Sequence, residues 1–147
     1  MTIFRFAPIA GAAVLAAASI SAAAAAEVTG LWSTAGARAQ VRITPCGSEL
    51  CGSIVALTQP NDPETGRPQT DKNNADPARR NRPLVGVRVL LGMKPDGQNK
   101  WTGRIYDAQN GKTVSGSISL NGARSLKLEG CALGGMICRS QAWTRVE

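Results

Sequence analysis

The chain contains no histidine among its 147 residues. Histidine-based catalytic triads, histidine metal centres and imidazole pH switches are thereby excluded. Aromatic residues are scarce, and beyond residue 26 only Trp32, Trp101, Tyr106 and Trp143 remain. The basic residues are scattered and lack aromatic platforms between them, so no nucleic-acid partner is expected. Acidic residues are few as well, 10 against 17 Lys plus Arg. A paired-carboxylate hydrolase would have only Asp71 and Asp107 to draw on, and nothing in the sequence brings them together. Ser115, Ser117 and Ser119 alternate along one strand face with no base to activate them. Asn61, Asp62 and Glu64 lack the ligand spacing and glycine of a calcium loop. No enzyme, cofactor or metal site is expected.

What is present begins with a leader. Residues 1–26 have one positive charge at Arg5, an apolar stretch over 6–20, and Ala24-Ala25-Ala26 before Glu27. This is the layout of a secretory signal peptide, so the mature chain is expected to be periplasmic or secreted, a single domain over 27–147 with no transmembrane segment. A membrane-spanning barrel is disfavoured because Arg38, Arg42, Arg104, Lys127 and Glu129 fall on expected outward faces. Cys46, Cys51, Cys131 and Cys138 all lie in the mature chain, where export favours disulfides. Four cysteines allow three connectivities. The spacing favours Cys46–Cys51 and Cys131–Cys138, each bracketing a turn-rich segment, and leaves the other two open. The spacings are too wide for the usual zinc knuckles, and neither pair is Cys-x-x-Cys.

Hydropathy alternates with a period of two in eight short runs, near 28–34, 37–44, 50–57, 85–93, 101–107, 113–120, 125–132 and 137–146. Short strands separated by turn residues predict an all-β fold, a single antiparallel up-and-down barrel of about eight strands. A two-residue turn at Asn110-Gly111 sets Trp101 opposite Leu120, Gly103 opposite Ile118 and Ile105 opposite Gly116 inside, with Tyr106 opposite Ser115 outside. A longer loop over 121–125 pairs Leu120 with Leu126 and Ile118 with Leu128. Setting Cys131 opposite Cys138 pairs Leu128 with Gln141 and Leu126 with Trp143. Arg139, Gln141, Trp143 and Arg145 then face inward, and such polar groups need partners or a polar cavity.

The alternation stops over 59–83, where Pro60, Pro63, Pro68, Pro77 and Pro83 break it. This long loop carries Asp71, Lys72, Asn74, Asp76, Arg79, Arg80 and Arg82, and Asp76-Pro77 is expected to start one helical turn through Arg80. It is either a lid or binding rim, or a loop satisfied by its own Asp–Arg pairs.

Several segments resemble the bacterial family called domain of unknown function 2147. They are Leu50-Cys51-Gly52, Asp71-Lys72 with Asn74, Arg80-x-Arg82-Pro83 leading to Gly86, Gly103-Arg104-Ile105-Tyr106-Asp107 with Gly111-Lys112-Thr113, Gly130-Cys131, and Gln141-x-Trp143-x-Arg145. Val114 stands where that family commonly has an aromatic, and Ala108 where it commonly has proline. The resemblance implies an exported, lipocalin-like barrel. Gly30-Leu31-Trp32 and Arg145 are similar to the lipocalin closure, in which an arginine packs over a tryptophan.

On this basis the chain is expected to bind a small apolar or amphipathic ligand, with an anionic group as one variant, inside the barrel. Trp101, Arg139, Gln141 and Trp143 are the candidate contacts within, and Asp71, Asn74, Arg80 and Arg82 those on the loop. The alternatives are an envelope interaction or stress protein with a solidly packed barrel whose loop grips a partner, and an enzyme using Asp71 with Arg80 and Arg82. Oligomeric state stays open.

Overall fold

The computed structural model describes residues 8, 10–13 and 27–147, so the leader assignment lies almost wholly outside the described residues. Eight strands follow in order: β1 (Gly30–Ser33), β2 (Ala39–Cys46), β3 (Glu49–Leu57), β4 (Arg88–Pro95), β5 (Lys100–Asp107), β6 (Lys112–Leu120), β7 (Ser125–Ala132) and β8 (Ile137–Arg145). Each pairs antiparallel with the next, and β8 returns to β1, closing the barrel. The alternation that predicts strands also fixes their faces: Val41 and Ile43 are buried while Arg42 and Thr44 are exposed. β4 begins later than expected because Gly86 takes a φ of 103° and bonds back to Ile54 O, while Val87 N–H bonds Leu84 O. Among the described residues no helix is long and apolar enough to cross a membrane.

Two ends result. The β2–β3, β4–β5 and β6–β7 loops and both ends of the 27–147 region gather at one, and the barrel beside them is filled. Trp32, Ile43, Leu90, Met93, Ile118 and Leu126 are fully buried there, and Trp101 is 3% exposed. The Arg145 guanidinium lies 4.3 Å from the Trp32 ring centroid. It also donates to the carbonyls of Thr29, Ala123 and Glu27, and Trp32 Nε1 donates to Val28 O at 2.9 Å. The Trp–Arg closure thus seals this end. Disulfides join Cys46 to Cys51 and Cys131 to Cys138, stapling the β2–β3 and β7–β8 hairpins.

The expected β6–β7 and β7–β8 registers are observed, with Ile118 opposite Leu128, Leu128 opposite Gln141 and Cys131 opposite Cys138. The β5–β6 register is not. Trp101 faces Ile118, Ile105 faces Val114 and Tyr106 faces Thr113, and the hairpin closes at Asp107–Lys112. The cause is turn chemistry. Asp107 Oδ1 accepts from Gln109 N–H, Asp107 O from Gly111 N–H, and Asn110 Oδ1 from Lys112 N–H. These side-chain bonds build a four-residue loop in place of the two-residue turn. The slip is two residues, so no side chain changes face.

Gly111 has a φ of 73°, and a Cβ there would fall 1.7 Å from the carbonyl oxygen of Asn73. Asn73 in turn donates to Ala108 O and Gln109 O. The long connection is therefore docked backbone to backbone on this turn. Gly111→Ala is expected to cost about 2–3 kcal/mol, read as a lower urea midpoint. Gly122 has a similar φ but open space around it, so Gly122→Ala should cost only about 1 kcal/mol. Equal losses in the two variants would rule out the docking contact.

Candidate functional site

The other half of the barrel is hollow. A cavity of about 1280 Å³ opens at the end carrying the β1–β2, β3–β4, β5–β6 and β7–β8 connections. Its walls are Val41, Ile54, Val89, Ile105, Val114 and Leu128, with Gly130 leaving room beside them. The polar groups on its inner face come from β8. Gln141, Arg139 and Trp143 all line it, as the alternation on the last strand requires.

Their depths differ because strands run along the barrel axis. Trp143, near the end of β8, is 5% exposed and forms part of the floor. Its Nε1–H donates to Gln141 Oε1 at 3.1 Å, so the amide is oriented by the ring. Arg139, nearer the mouth, is exposed to solvent within the cavity, and its guanidinium has no hydrogen-bond or ion-pair partner among the described residues. Arg38, Lys72 and Lys112 also line the mouth, against Asp107 as the one carboxylate, and Lys72 is held by Asp62 at 3.3 Å. The cavity is thus apolar below and positive above, with the guanidinium of Arg139 on its inner wall and that of Arg38 at its mouth, both without an ion pair among the described residues.

Trp101 does not reach this space. β5 starts at the filled end, so its second residue packs there beside Ile118. The four loop candidates do not reach it either. Asp71, Asn74 and Arg82 meet Tyr106 on the outer wall of β5, with Arg80 at the edge of the group. The Tyr106 hydroxyl donates to Asp71 Oδ1 at 2.5 Å, while Asn74 Nδ2, Arg82 Nε and Arg82 Nη2 each reach Asp71 Oδ2 at 2.8 Å. Arg80 Nε donates to Asn74 O at 2.8 Å. Tyr106 does point outward, as its parity demands, but the connection covers it and leaves it 7% exposed. The loop is thus satisfied by its own carboxylates and arginines. The one helical turn is present at Pro77–Arg79, capped by Asp76. Along the same segment Thr70, Lys72 and Asn73 line the cavity mouth, so alternate residues serve rim and anchor.

Burial alone would raise the Asp71 carboxyl, but the bonds from Tyr106, Asn74 and Arg82, with the charge of Arg82, hold it below the ordinary 3.8. The Tyr106 phenol is pushed up to about 12, first by burial and then by its bond to, and the charge of, Asp71. Among the described residues the grouping of possible metal ligands is Glu129 with Cys131 and Cys138, whose sulfurs are joined to each other, leaving one carboxylate.

Sequence reasoning missed the cavity walls and Tyr106. A usable signal was the inward Gly130, which lines the cavity, while the space over its neighbour Gly116 is taken by Ile105.

A family model described as "Uncharacterized protein conserved in bacteria (DUF2147)" matches residues 30–145. No curated protein matches the chain. Among solved structures, protein HP1028 from Helicobacter pylori, described as belonging to the lipocalin family, aligns with a TM-score of 0.63 at 20% identity. The alignment covers 74% of this chain and 73% of that one, a likeness of fold.

Proposed function

The chain belongs to the DUF2147 family, and from that premise we propose that it is a binding protein whose barrel holds one small anionic amphiphile. The observation that carries this is Arg139, a guanidinium without a partner among the described residues, on the inner wall between the apolar lower part of the cavity and its basic mouth. A hydrocarbon tail would lie against Val41, Ile54, Val114 and Leu128 and contribute about 0.8 kcal/mol per buried CH₂. A carboxylate or phosphate at its head would meet Arg139, with the Gln141 amide beside it. Binding without catalysis is the role proposed, since the buried carboxylate that could do chemistry, Asp71, is committed to the outer wall. Two disulfides fit an oxidising compartment, so we place the protein outside the cytoplasm, in the periplasm or secreted.

The test is a fluorescence titration, with Trp143 as reporter, using dodecanoate and dodecanol. The carboxylate should bind more tightly, and Arg139→Gln should weaken it roughly 10-fold, the effect of a solvent-screened charge-assisted bond, while leaving the alcohol nearly unchanged. Trp143→Phe identifies the reporting ring. Equal loss for both probes would remove Arg139 from the site, and no saturable response to either would remove the cavity.

A further inference from the structure

β1 has four residues and β8 has nine. Across that seam Trp32 pairs with Arg145 and Ser33 with Thr144, and there the pairing ends. Toward β7, by contrast, β8 is paired from Ile137 to Thr144. The direction of each backbone group is fixed by two flanking bonds. Arg145 N–H reaches Arg124 O on the β7 side, and Val146 N–H reaches Leu31 O on the β1 side. Since the direction alternates along an antiparallel strand, the N–H and C=O of Cys138, Ser140 and Ala142 point into the seam where β1 has already stopped.

Nothing in the described residues takes these groups. The turn after β1 closes on itself, with Ala37 N–H on Thr34 O and Thr34 N–H on Ala39 O. The 3-10 turn Ala35–Ala37 lies beside β8 but makes no backbone hydrogen bond to it, and the cavity is lined on one side of the seam by Thr34 to Ala39 and on the other by Ile137, Arg139, Ser140 and Gln141. The barrel wall therefore has a notch, and one side of it is an unpaired strand edge. Free edges invite pairing and are usually blocked by proline, lysine or a covering loop. Here the residues bordering the notch are small, and the side chains that could select a partner are Arg139 and Arg38, neither of which has an ion pair. Ile137, half exposed at the top of the edge, offers an apolar contact.

We propose that the Cys138–Ala142 edge of β8 accepts an extended, acidic segment of a partner protein as an added strand. Main-chain bonds to Ser140 and Ala142 would give affinity, and a carboxylate facing Arg139 would give selectivity. The proposal rests on the unpaired seam, and because it uses Arg139 an added acidic strand and an anionic head group in the cavity would compete for that guanidinium.

The probe is a capped peptide, Thr-Glu-Thr-Glu-Thr-Val-Thr, with a control carrying lysine in place of both glutamates. Amide hydrogen exchange, read residue by residue by NMR, should be fast at Ser140 and Ala142 in the free protein. At saturating glutamate peptide it should slow at least 10-fold at both, with no slowing by the lysine peptide. Ser140→Pro removes an N–H that the β7 ladder does not use, so it should abolish binding while β7–β8 protection persists. The exchange result on the unaltered protein stands even if that variant folds poorly. Three results would overturn the proposal: no protection with the glutamate peptide at millimolar concentration, equal protection with both peptides, or slow exchange in the free protein. Slow exchange that depends on protein concentration would instead assign the edge to a second copy of this chain.

Discussion

Asp71→Ala releases the connection between β3 and β4 from the barrel wall. The carboxylate is 1% exposed and accepts from Tyr106, Asn74 and two guanidinium nitrogens of Arg82. Removing it leaves the buried Tyr106 phenol without its acceptor and the Asn74 amide with only the Tyr106 hydroxyl, each loss costing about 1–3 kcal/mol. Arg82, about a third exposed, returns to water, so its part in the loss is small. A total near 3 kcal/mol is expected, concentrated in the loop: trypsin should cut after Arg79 and Arg80 many times faster, Arg82 being protected by the proline that follows it, and amide protection over 69–83 should fall. Tyr106→Phe should show a weaker version of the same pattern. Unchanged proteolysis in Asp71→Ala would mean that other contacts hold the loop.

The same network predicts a pH dependence. The folded carboxyl lies below 3.8, so its contribution is present above the unfolded value and fades as pH falls through the lower folded one. The gap in stability between the unaltered protein and Asp71→Ala should therefore shrink on strong acidification. Tyr106 runs the other way. Its phenol at about 12 contributes fully below its ordinary value of 10.0 and loses that contribution as pH rises from there toward 12.

Val114→Trp fills the cavity. Val114 faces Ile105 across the β5–β6 pair and lines the hollow half, and a Cβ at Gly130 would lie 3.1 Å from its Cγ2. An indole at this position enters open space above the filled end. Affinity for dodecanoate should fall at least 30-fold, which is about 2 kcal/mol, while the melting temperature moves by no more than about 3 °C. Ile118→Trp, in the packed half, is the contrast: overpacking there should destabilise by about 1–3 kcal/mol. Undiminished binding by Val114→Trp would place the ligand elsewhere on the molecule.

The barrel and its strand order were legible because alternation and turn residues are local signals, whereas the Trp32–Arg145 closure came from the resemblance to lipocalins. The β5–β6 register was not, since a slip of two residues keeps Trp101, Gly103 and Ile105 on the same face and hydropathy does not distinguish the alternatives. Only the bonds made by Asp107 and Asn110 decide it. Parity gave Trp101 its inner face but not its height. That height was available in principle, because a residue at the start of an odd-numbered strand lies at the filled end, as Trp32 and Leu126 do. Arg139 and Gln141 were found from the register of the last hairpin. The burial of Tyr106 depends on Asp71, 35 residues earlier in the chain, and no local pattern encodes that contact. Nor does alternation measure space: the hollow half follows from side-chain size at Val114 and Gly130, summed over several strands.

If the hollow half of the barrel is the binding site, a methyl-resolved NMR titration of the protein with dodecanoate will locate the ligand there. Saturable shifts should appear at Val41, Ile54, Val89, Ile105, Val114 and Leu128, while Ile43, Leu50, Leu90, Ile118 and Leu126 in the packed half stay nearly still. No saturable shift, or shifts confined to the outer wall, would contradict it.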